Sequence, residues 1–209
     1  MIKVVSFDIG GTLRTSTKDI YSLRELSKLL NIDYNLVRNA YKNVYQKSKG
    51  TFEEQLDKFT SIFGIKPTSE LVIFLKNKFT SNDGEVTPDK IELIKKLKEL
   101  GYKVILFSNT SNLFTSKLPD ELVNSVDEMF YSYDLGYTKN ESESYKIVEK
   151  KMNYNPDEFI HIGDTLKADY YSPIENGWNA LYYGETTEDV VSITSLDEVI
   201  DYLNQKRLV

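Results

Sequence analysis

The run Lys3-Val4-Val5-Ser6-Phe7-Asp8-Ile9-Gly10-Gly11-Thr12-Leu13 constrains this chain more than any other stretch. Its first half is short, apolar and β-branched, which reads as a buried strand. The strand stops on a carboxylate and two glycines follow at once. A strand that ends in Asp and turns on Gly-Gly puts that Asp at the carboxyl edge of a sheet. Open α/β sheets keep their ligand sites at that edge. Glycine there lets the backbone approach a ligand closely.

The chain beyond this strand divides into two patterns. From about Ile20 to Phe79 the apolar residues recur at helical spacing and no strand signal intervenes. Ile20, Leu23, Leu26 and Leu30 form one stripe. Asp33 reads as the N-cap of a second helix carrying Val37, Ala40, Tyr41, Val44 and Tyr45, closed by Gly50. Thr51-Phe52-Glu53-Glu54 fits a capping box for a third helix, with Leu56, Phe59 and Phe63 inward and Gly64 at its end. Thr68 caps a fourth, with Leu71, Phe74 and Phe79. Four short amphipathic helices in a row predict a small bundle.

Strands and helices then alternate. Ser81-Asn82-Asp83-Gly84 reads as a turn and hinge. Thr87-Pro88-Asp89 starts a helix with proline at its first position. Lys103–Phe107 is a second strand, Pro119–Asn124 a short helix and Glu128–Ser132 a third strand. A helix over Glu141–Met152 leads to strand Phe159–Ile162. A helix from Ala168 to Gly177 contains Pro173, which should kink or shorten it. Ala180–Tyr183 is a further strand, and Ser195-Leu196-Asp197-Glu198 reads as a capping box for the last helix. This alternation predicts a parallel sheet with helices on both faces.

Composition narrows the functional classes. The chain has 209 residues, 40% of them hydrophobic, which suits one domain with a small insertion. It has no cysteine, which excludes disulfides and thiolate metal sites. Net charge is −6 with no long basic block, so a broad nucleic-acid-binding face is not expected. The 15 Tyr and 10 Phe are expected to pack the core and the helical insert. No apolar run reaches the ~20 residues that span a bilayer. Met1-Ile2-Lys3 enters a strand directly, without a signal-peptide pattern. The expectation is a soluble cytoplasmic protein with no membrane or nucleic-acid partner. Oligomeric state leaves no mark in the sequence.

Three more stretches join the first. Val104-Ile105-Leu106-Phe107-Ser108-Asn109 is an apolar run ending on a hydroxyl. Lys139 lies in a polar loop ahead of a helix. Phe159-Ile160-His161-Ile162-Gly163-Asp164 is a strand ending on Asp, with Asp169 five residues on. In order and spacing these resemble the four motifs of the haloacid dehalogenase (HAD) superfamily. The resemblance implies a Rossmann-like three-layer α/β/α core with a parallel sheet, formed by residues 1–14 and 82–209. It implies a helical cap over residues 15–81. It also implies a hydrolase, in most such proteins a phosphatase acting on a small phosphorylated molecule with Mg²⁺.

The residues take roles accordingly. Asp8 is the expected nucleophile, since a carboxylate can attack phosphorus and form an aspartyl-phosphate. Asp8 and Asp164 are expected to hold Mg²⁺, which favours a few carboxylates with water and phosphate oxygens. The Gly10 main-chain oxygen joins them in the family pattern, and Asp169 either supports a metal-bound water or orients Lys139. Ser108 donates to a phosphoryl oxygen, and Lys139 neutralises phosphate and nucleophile. Gly10, Gly11 and Asn109 line the phosphate loop. Thr12 is expected to hold that loop by hydrogen bonding, and Arg14 to lie at the hinge or surface, with contact to an anionic substrate as the lesser alternative. His161, the only histidine, is expected in the core beside the site rather than as an acid or base. The family's dehalogenases lack a metal and carry a Ser-Ser-Asn arrangement, so Asp164 argues against dehalogenation.

One departure stands out. Phosphatases of this superfamily carry Asp-x-Asp in the first motif, and here the second Asp is Gly10. That Asp protonates the leaving oxygen and then activates water, which is typically worth about 10²–10⁴ in rate. Four readings follow: substrates with good leaving groups, a substitute acid from the cap or water, phosphonatase chemistry using a cap lysine (Lys18, Lys47 or Lys49), or a non-catalytic phosphate-binding relative.

Overall fold

The computed structural model describes residues 1–15, 21–81, 84–114, 117–185 and 189–207. Ile20, Lys18 and the Asn82-Asp83 part of the expected hinge lie outside these. The chain runs β1 (Val4–Phe7), α1 (Leu23–Leu30), α2 (Tyr34–Tyr41), α3 (Phe52–Ile62), α4 (Ser69–Thr80), α5 (Pro88–Glu99), β2 (Lys103–Ser108), α6 (Asp120–Ser125), β3 (Glu128–Tyr131) and α7 (Ser132–Leu135). It continues with α8 (Ser142–Met152), β4 (Phe159–Gly163), α9 (Ser172–Glu175), β5 (Asn179–Tyr183), β6 (Ser192–Ile193) and α10 (Glu198–Arg207).

The six strands form one sheet in the order β3-β2-β1-β4-β5-β6, with every pairing parallel. Such strands are buried on both faces, which is why they read as near-continuous apolar runs. Val5, Phe7, Val104, Leu106, Ile160 and Ile162 pack on one side with α5 and α10. Val4, Ile105, Phe107, Phe159 and Trp178 pack on the other with Tyr145 and Val148 of α8. The result is the expected three-layer α/β/α core. The chain leaves β1 for β2 on one side and returns to β4 on the other. Asp8 therefore lies where the strand order reverses, and the ends of β1 and β4 face a common crevice.

Helices α1–α4 form the cap and have their own apolar cluster, including Leu26, Tyr41, Tyr45, Phe59, Leu75 and Phe79. Their ends follow local chemistry. Asp33 accepts from the N–H groups of Asn35 and Leu36, and the Thr51–Glu54 capping box is complete in both directions. Phe79 reaches the core through an edge-on contact with Phe114, ring centroids 5.3 Å apart. Ion pairs tie cap to core as well: Lys47 Nζ lies 2.6 Å from Glu141, and Lys49 pairs with Asp134.

Several details differ from the sequence reading. The second cap helix ends at Gln46 rather than at Gly50, and its last stretch, Lys42–Gln46, is a π turn. The helix expected from Ala168 starts at Leu166 as another π turn, which passes into α9 at Ser172. Pro173 lacks the N–H that an α-helical ladder would need there, and the wider turn absorbs the loss. The capping box at Ser195 is half made: Glu198 accepts from the Ser195 N–H at 2.7 Å, while Ser195 Oγ takes the N–H of Asp197. Strand β6 is two residues long, too short to leave a periodic signal. Among the described residues no helix is long and apolar enough to cross a membrane.

Tyr45 is fully buried among the cap aromatics, and its hydroxyl has no partner among the described residues. Burial pushes the phenol's pKa well above its ordinary value. An unsatisfied buried polar group costs roughly 1–3 kcal/mol. Tyr45→Phe is therefore expected to leave stability unchanged or raise it by about 1 kcal/mol, as read from the denaturant midpoint. A clear loss of stability would show that the hydroxyl is bonded after all.

Candidate active site

The centre of the site is a buried ammonium between two carboxylates. Lys139 Nζ donates to Asp8 Oδ1 at 2.6 Å and to Asp169 Oδ1 at 2.5 Å. Only 2% of the Lys139 side chain is exposed. A lone buried ammonium would lose its proton, and burial does pull in that direction. Asp169 and Asp8 outweigh it, so Lys139 stays charged and its pKa is raised.

The loop before α8 holds the lysine. Asn109 Oδ1, just beyond β2, accepts from the Lys139 backbone N–H at 2.9 Å. Glu141 accepts from Thr138 through both its N–H and its hydroxyl, and also takes Lys47 from the cap. Burial opposes the Glu141 charge, but Lys47 and Thr138 outweigh it and hold the carboxyl below its usual range.

Behind Asp169 a second chain of bonds reaches into the sheet. His161 and Ser6 face each other across β1 and β4, and their side chains bond at 2.8 Å. His161 Nε2 meets Asp169 Oδ1 at 3.1 Å. Burial lowers the pKa of His161, so the ring is neutral. A carboxylate only accepts, so Nε2 carries the proton and Nδ1 accepts from Ser6. Asp169 Oδ2 takes the Thr165 N–H at 2.9 Å. Both oxygens of Asp169 are thus engaged by the protein, and its pKa lies well below normal: burial opposes this, but Lys139 and His161 prevail. His161 is therefore where the sequence reading put it, in the core beside the site.

Asp164 follows β4 directly and approaches the first loop closely. A Cβ on Gly11 would lie 2.0 Å from the Asp164 carboxylate, and Gly11 has φ +78°. Both facts require glycine. Gly163 plays the same part for Asp169, whose carboxyl carbon would be 2.4 Å from an added Cβ. At Gly10, by contrast, an added Cβ would meet nothing within 4 Å.

Asp8, Asp164 and Asp169 each bring a carboxylate oxygen within 4.8 Å of the other two. Three acids so close repel one another, and burial adds to the cost. Asp8 is raised, first by burial and then by Asp169 against Lys139. Asp164 is raised to about 6, by burial and then by Asp8 and Asp169. Hard oxygen donors whose charges are unbalanced suit a small divalent cation such as Mg²⁺. The trio fits a metal on its own chemistry.

Ser108 closes β2 and is buried. With Asn109, Gly10 and Asp8 it lines a cavity of about 550 Å³ between core and cap. Two minor expectations are corrected. The Thr12 hydroxyl is buried without a partner among the described residues, so it holds the loop by packing, while its carbonyl accepts from Lys90. Arg14 is buried rather than superficial: it donates to the Lys117 carbonyl at 3.2 Å and lines an adjoining cavity of about 480 Å³. The sequence reading missed Ser6 and Glu141, whose roles depend on pairing across the fold. It also missed Arg38, Lys42 and Gln46 of the cap, which border the first cavity. Their four-residue spacing was a visible signal.

A parallel sheet with Asp8 and Asp164 at its crevice, a buried lysine and an inserted helical cap define a capped α/β hydrolase. Comparison with known proteins sharpens this. Residues 2–173 match the model of the haloacid dehalogenase-like hydrolase family, and the chain belongs to that family. It is similar to an uncharacterized hydrolase of Schizosaccharomyces pombe, C7D4.05, with 24% identity over 87% of this chain and 90% of that protein. Its fold resembles a HAD family enzyme from Bacteroides thetaiotaomicron solved with magnesium and inorganic phosphate (TM-score 0.62, 19% identity, 90% of this chain and 98% of that one). It also resembles a 2-haloacid dehalogenase from Pseudomonas syringae (TM-score 0.65, 16% identity, 98% and 99%).

The acid cluster sets a pH dependence. Because Asp164 is raised to about 6, the folded apoprotein keeps a proton there that the unfolded chain has lost. This contribution to apoprotein stability falls as pH rises towards 6. A cation competes with that proton. Mg²⁺ is expected to raise Tm at pH 7.5 and to do so progressively less below about pH 6. Asp164→Asn should abolish the increment. A Tm increment equal at pH 5 and pH 7.5 would contradict the assignment of Asp164.

Proposed function

We propose that this hydrolase is a Mg²⁺-dependent phosphatase of small phosphorylated metabolites, working through a phosphoryl group on Asp8. The observation that carries the reading is the 2.6 Å contact of Lys139 with Asp8 on the floor of a polar cavity, with Asp164 beside it. The phosphate and magnesium in the Bacteroides enzyme, which shares the fold, support it.

In this reading Asp8 attacks phosphorus. A P–O bond to Asp8 forms as the bond to the leaving oxygen breaks, and the electron pair departs with that oxygen. Water then attacks the phosphorus and gives its proton to bulk solvent as the P–O bond to Asp8 breaks, which frees inorganic phosphate and the Asp8 carboxylate. Lys139 offsets negative charge on Asp8 and on the transferring group, and Ser108 donates to a phosphoryl oxygen. Asp169 positions Lys139 through the bond they share. Asp8, Asp164 and the Gly10 carbonyl would hold Mg²⁺, which supplies charge neutralisation at the phosphoryl oxygens. Residues 15–81 act as the cap that excludes water and selects substrate. A 2-haloacid substrate is disfavoured, because its carboxylate would meet Asp164 as well as Asp8. Phosphonate chemistry is disfavoured for Lys47 and Lys49, which pair with Glu141 and Asp134.

Gly10 leaves the departing oxygen without a positioned acid. The favoured substrates are accordingly acyl and aryl phosphates, whose leaving groups need little protonation. Phosphate release should be measured over acyl, aryl and alkyl phosphates with and without Mg²⁺. Turnover of the first two that requires Mg²⁺ and vanishes in Asp8→Asn is expected. No release above the Asp8→Asn control for any compound would sink the phosphatase reading.

Gly10→Asp gives a second prediction. The open space around Gly10 admits the new side chain without backbone strain. Alkyl phosphate turnover should rise by about 10²–10⁴, with aryl phosphates gaining far less. Equal gains for both classes would mean that protonation of the leaving oxygen is not what the loop lacks.

A further inference from the structure

The roof of the cavity carries a charge pattern that the phosphoryl chemistry does not use. Arg38 and Lys42 come from the cap, four residues apart, with Asn39 and Gln46 beside them. Lys167 borders the same space from the core. Lys139, at the floor, is already matched by Asp8 and Asp169. Among the described residues, Arg38, Lys42 and Lys167 have no ion-pair partner.

The plain alternative is a solvated helix face, and three observations weigh against it. First, like charges at this spacing destabilise a helix, and nothing on the element relieves them: Tyr34 to Gln46 contains no acidic residue, in a chain whose net charge is −6. Elsewhere in the cap, Lys28, Lys47 and Lys49 are paired with carboxylates, and Lys78 donates to the Tyr21 carbonyl. Second, Lys42 is only partly exposed where it lines the cavity, while Arg38 and Lys167, which line it too, are exposed. Third, both π turns among the described residues border this one cavity. The cap turn contributes Lys42 and Gln46, and the core turn contributes Lys167, Ala168 and Asp169. A π turn is rare and re-aims the side chains it carries. Here two of them converge on one space from opposite sides.

We propose that Arg38 and Lys42, with Lys167 opposite, form a second anion subsite, so that the substrate is a small phosphorylated molecule bearing a further anionic group. This rests on the phosphatase reading for the position of the phosphoryl group at Asp8. The guanidinium of Arg38 and the ammonium of Lys42 supply charge-assisted donors to a carboxylate or second phosphate. Gln46 and Asn39 add neutral donors at its edge. Binding the far end of the substrate at the cap would also draw the cap onto the core, with the reacting phosphate held against Asp8.

The test separates charge from shape. The 3- and 4-carboxyphenyl phosphates are compared with the matching carbamoylphenyl phosphates, which are nearly isosteric and differ in charge. Calorimetric binding to Asp8→Asn with Mg²⁺ reads recognition without turnover. We expect at least one carboxylate to bind about tenfold to a hundredfold tighter than its amide. The preference should shrink with added salt, collapse in Arg38→Gln/Lys42→Gln, and survive in Arg38→Lys/Lys42→Arg. Equal binding of the pairs, including no binding of either, overturns the subsite, as does a preference that persists in the glutamine variant. Phosphate release by the unsubstituted protein is followed in parallel. Turnover of acid and amide with equal efficiency keeps the phosphatase and removes the subsite. A charge preference in binding without any release keeps the subsite and removes the phosphatase.

Discussion

The bond pair from Lys139 to Asp8 and Asp169 is the interaction on which the site depends. It joins the end of β1, the loop before α8 and the π turn after β4. None of these charges would be stable alone at such burial. Lysine would shed its proton and the acids would take one up. Together Lys139 and Asp169 stay ionised, while burial still raises Asp8 against the pull of Lys139. Asp164 lies outside the pair, and its pKa is raised first by burial and then by the charges of Asp8 and Asp169.

The rest of the core serves this arrangement. β1 and β4 lie side by side, so Asp8 and Asp164 leave adjacent strand ends together. Two glycines make the approach possible: Gly11 admits Asp164 and Gly163 admits Asp169. His161 and Ser6 extend the support into the sheet, where a neutral ring keeps Asp169 aimed at the lysine. The cap is joined to this scaffold by Lys47 on Glu141, the residue that also shapes the Lys139 loop. Cap position and lysine position are thus linked through one carboxylate.

Gly10 and the cap cations bear on substrate choice from opposite ends. The space beside Gly10 is open, so glycine is not required there by packing. Its presence shifts the demand onto the leaving group. Arg38 and Lys42 shift the demand onto the part of the substrate far from phosphorus. In the function proposed here, together they call for a ligand with an easily expelled phosphoryl group and a second negative charge.

Much of this was legible in the chain itself. The run into Asp8-Ile9-Gly10-Gly11, the strand ending at Ser108, and Gly163-Asp164 with Asp169 mark a parallel sheet and its site, because strand ends and turns are set by local sequence. The cap helices and their caps at Asp33, Thr51 and Thr68 were legible for the same reason. Tertiary structure alone decided what depends on contact between distant segments. It set Asp169 against Lys139 and His161 with both oxygens engaged, it buried Arg14, and it left the Thr12 hydroxyl without a partner among the described residues. It also wound two stretches into π turns and put Arg38 and Lys42 on the lining of the cavity between cap and core. Sequence spacing put those two cations on one helical face, but only the packing of cap on core determined what that face looks at.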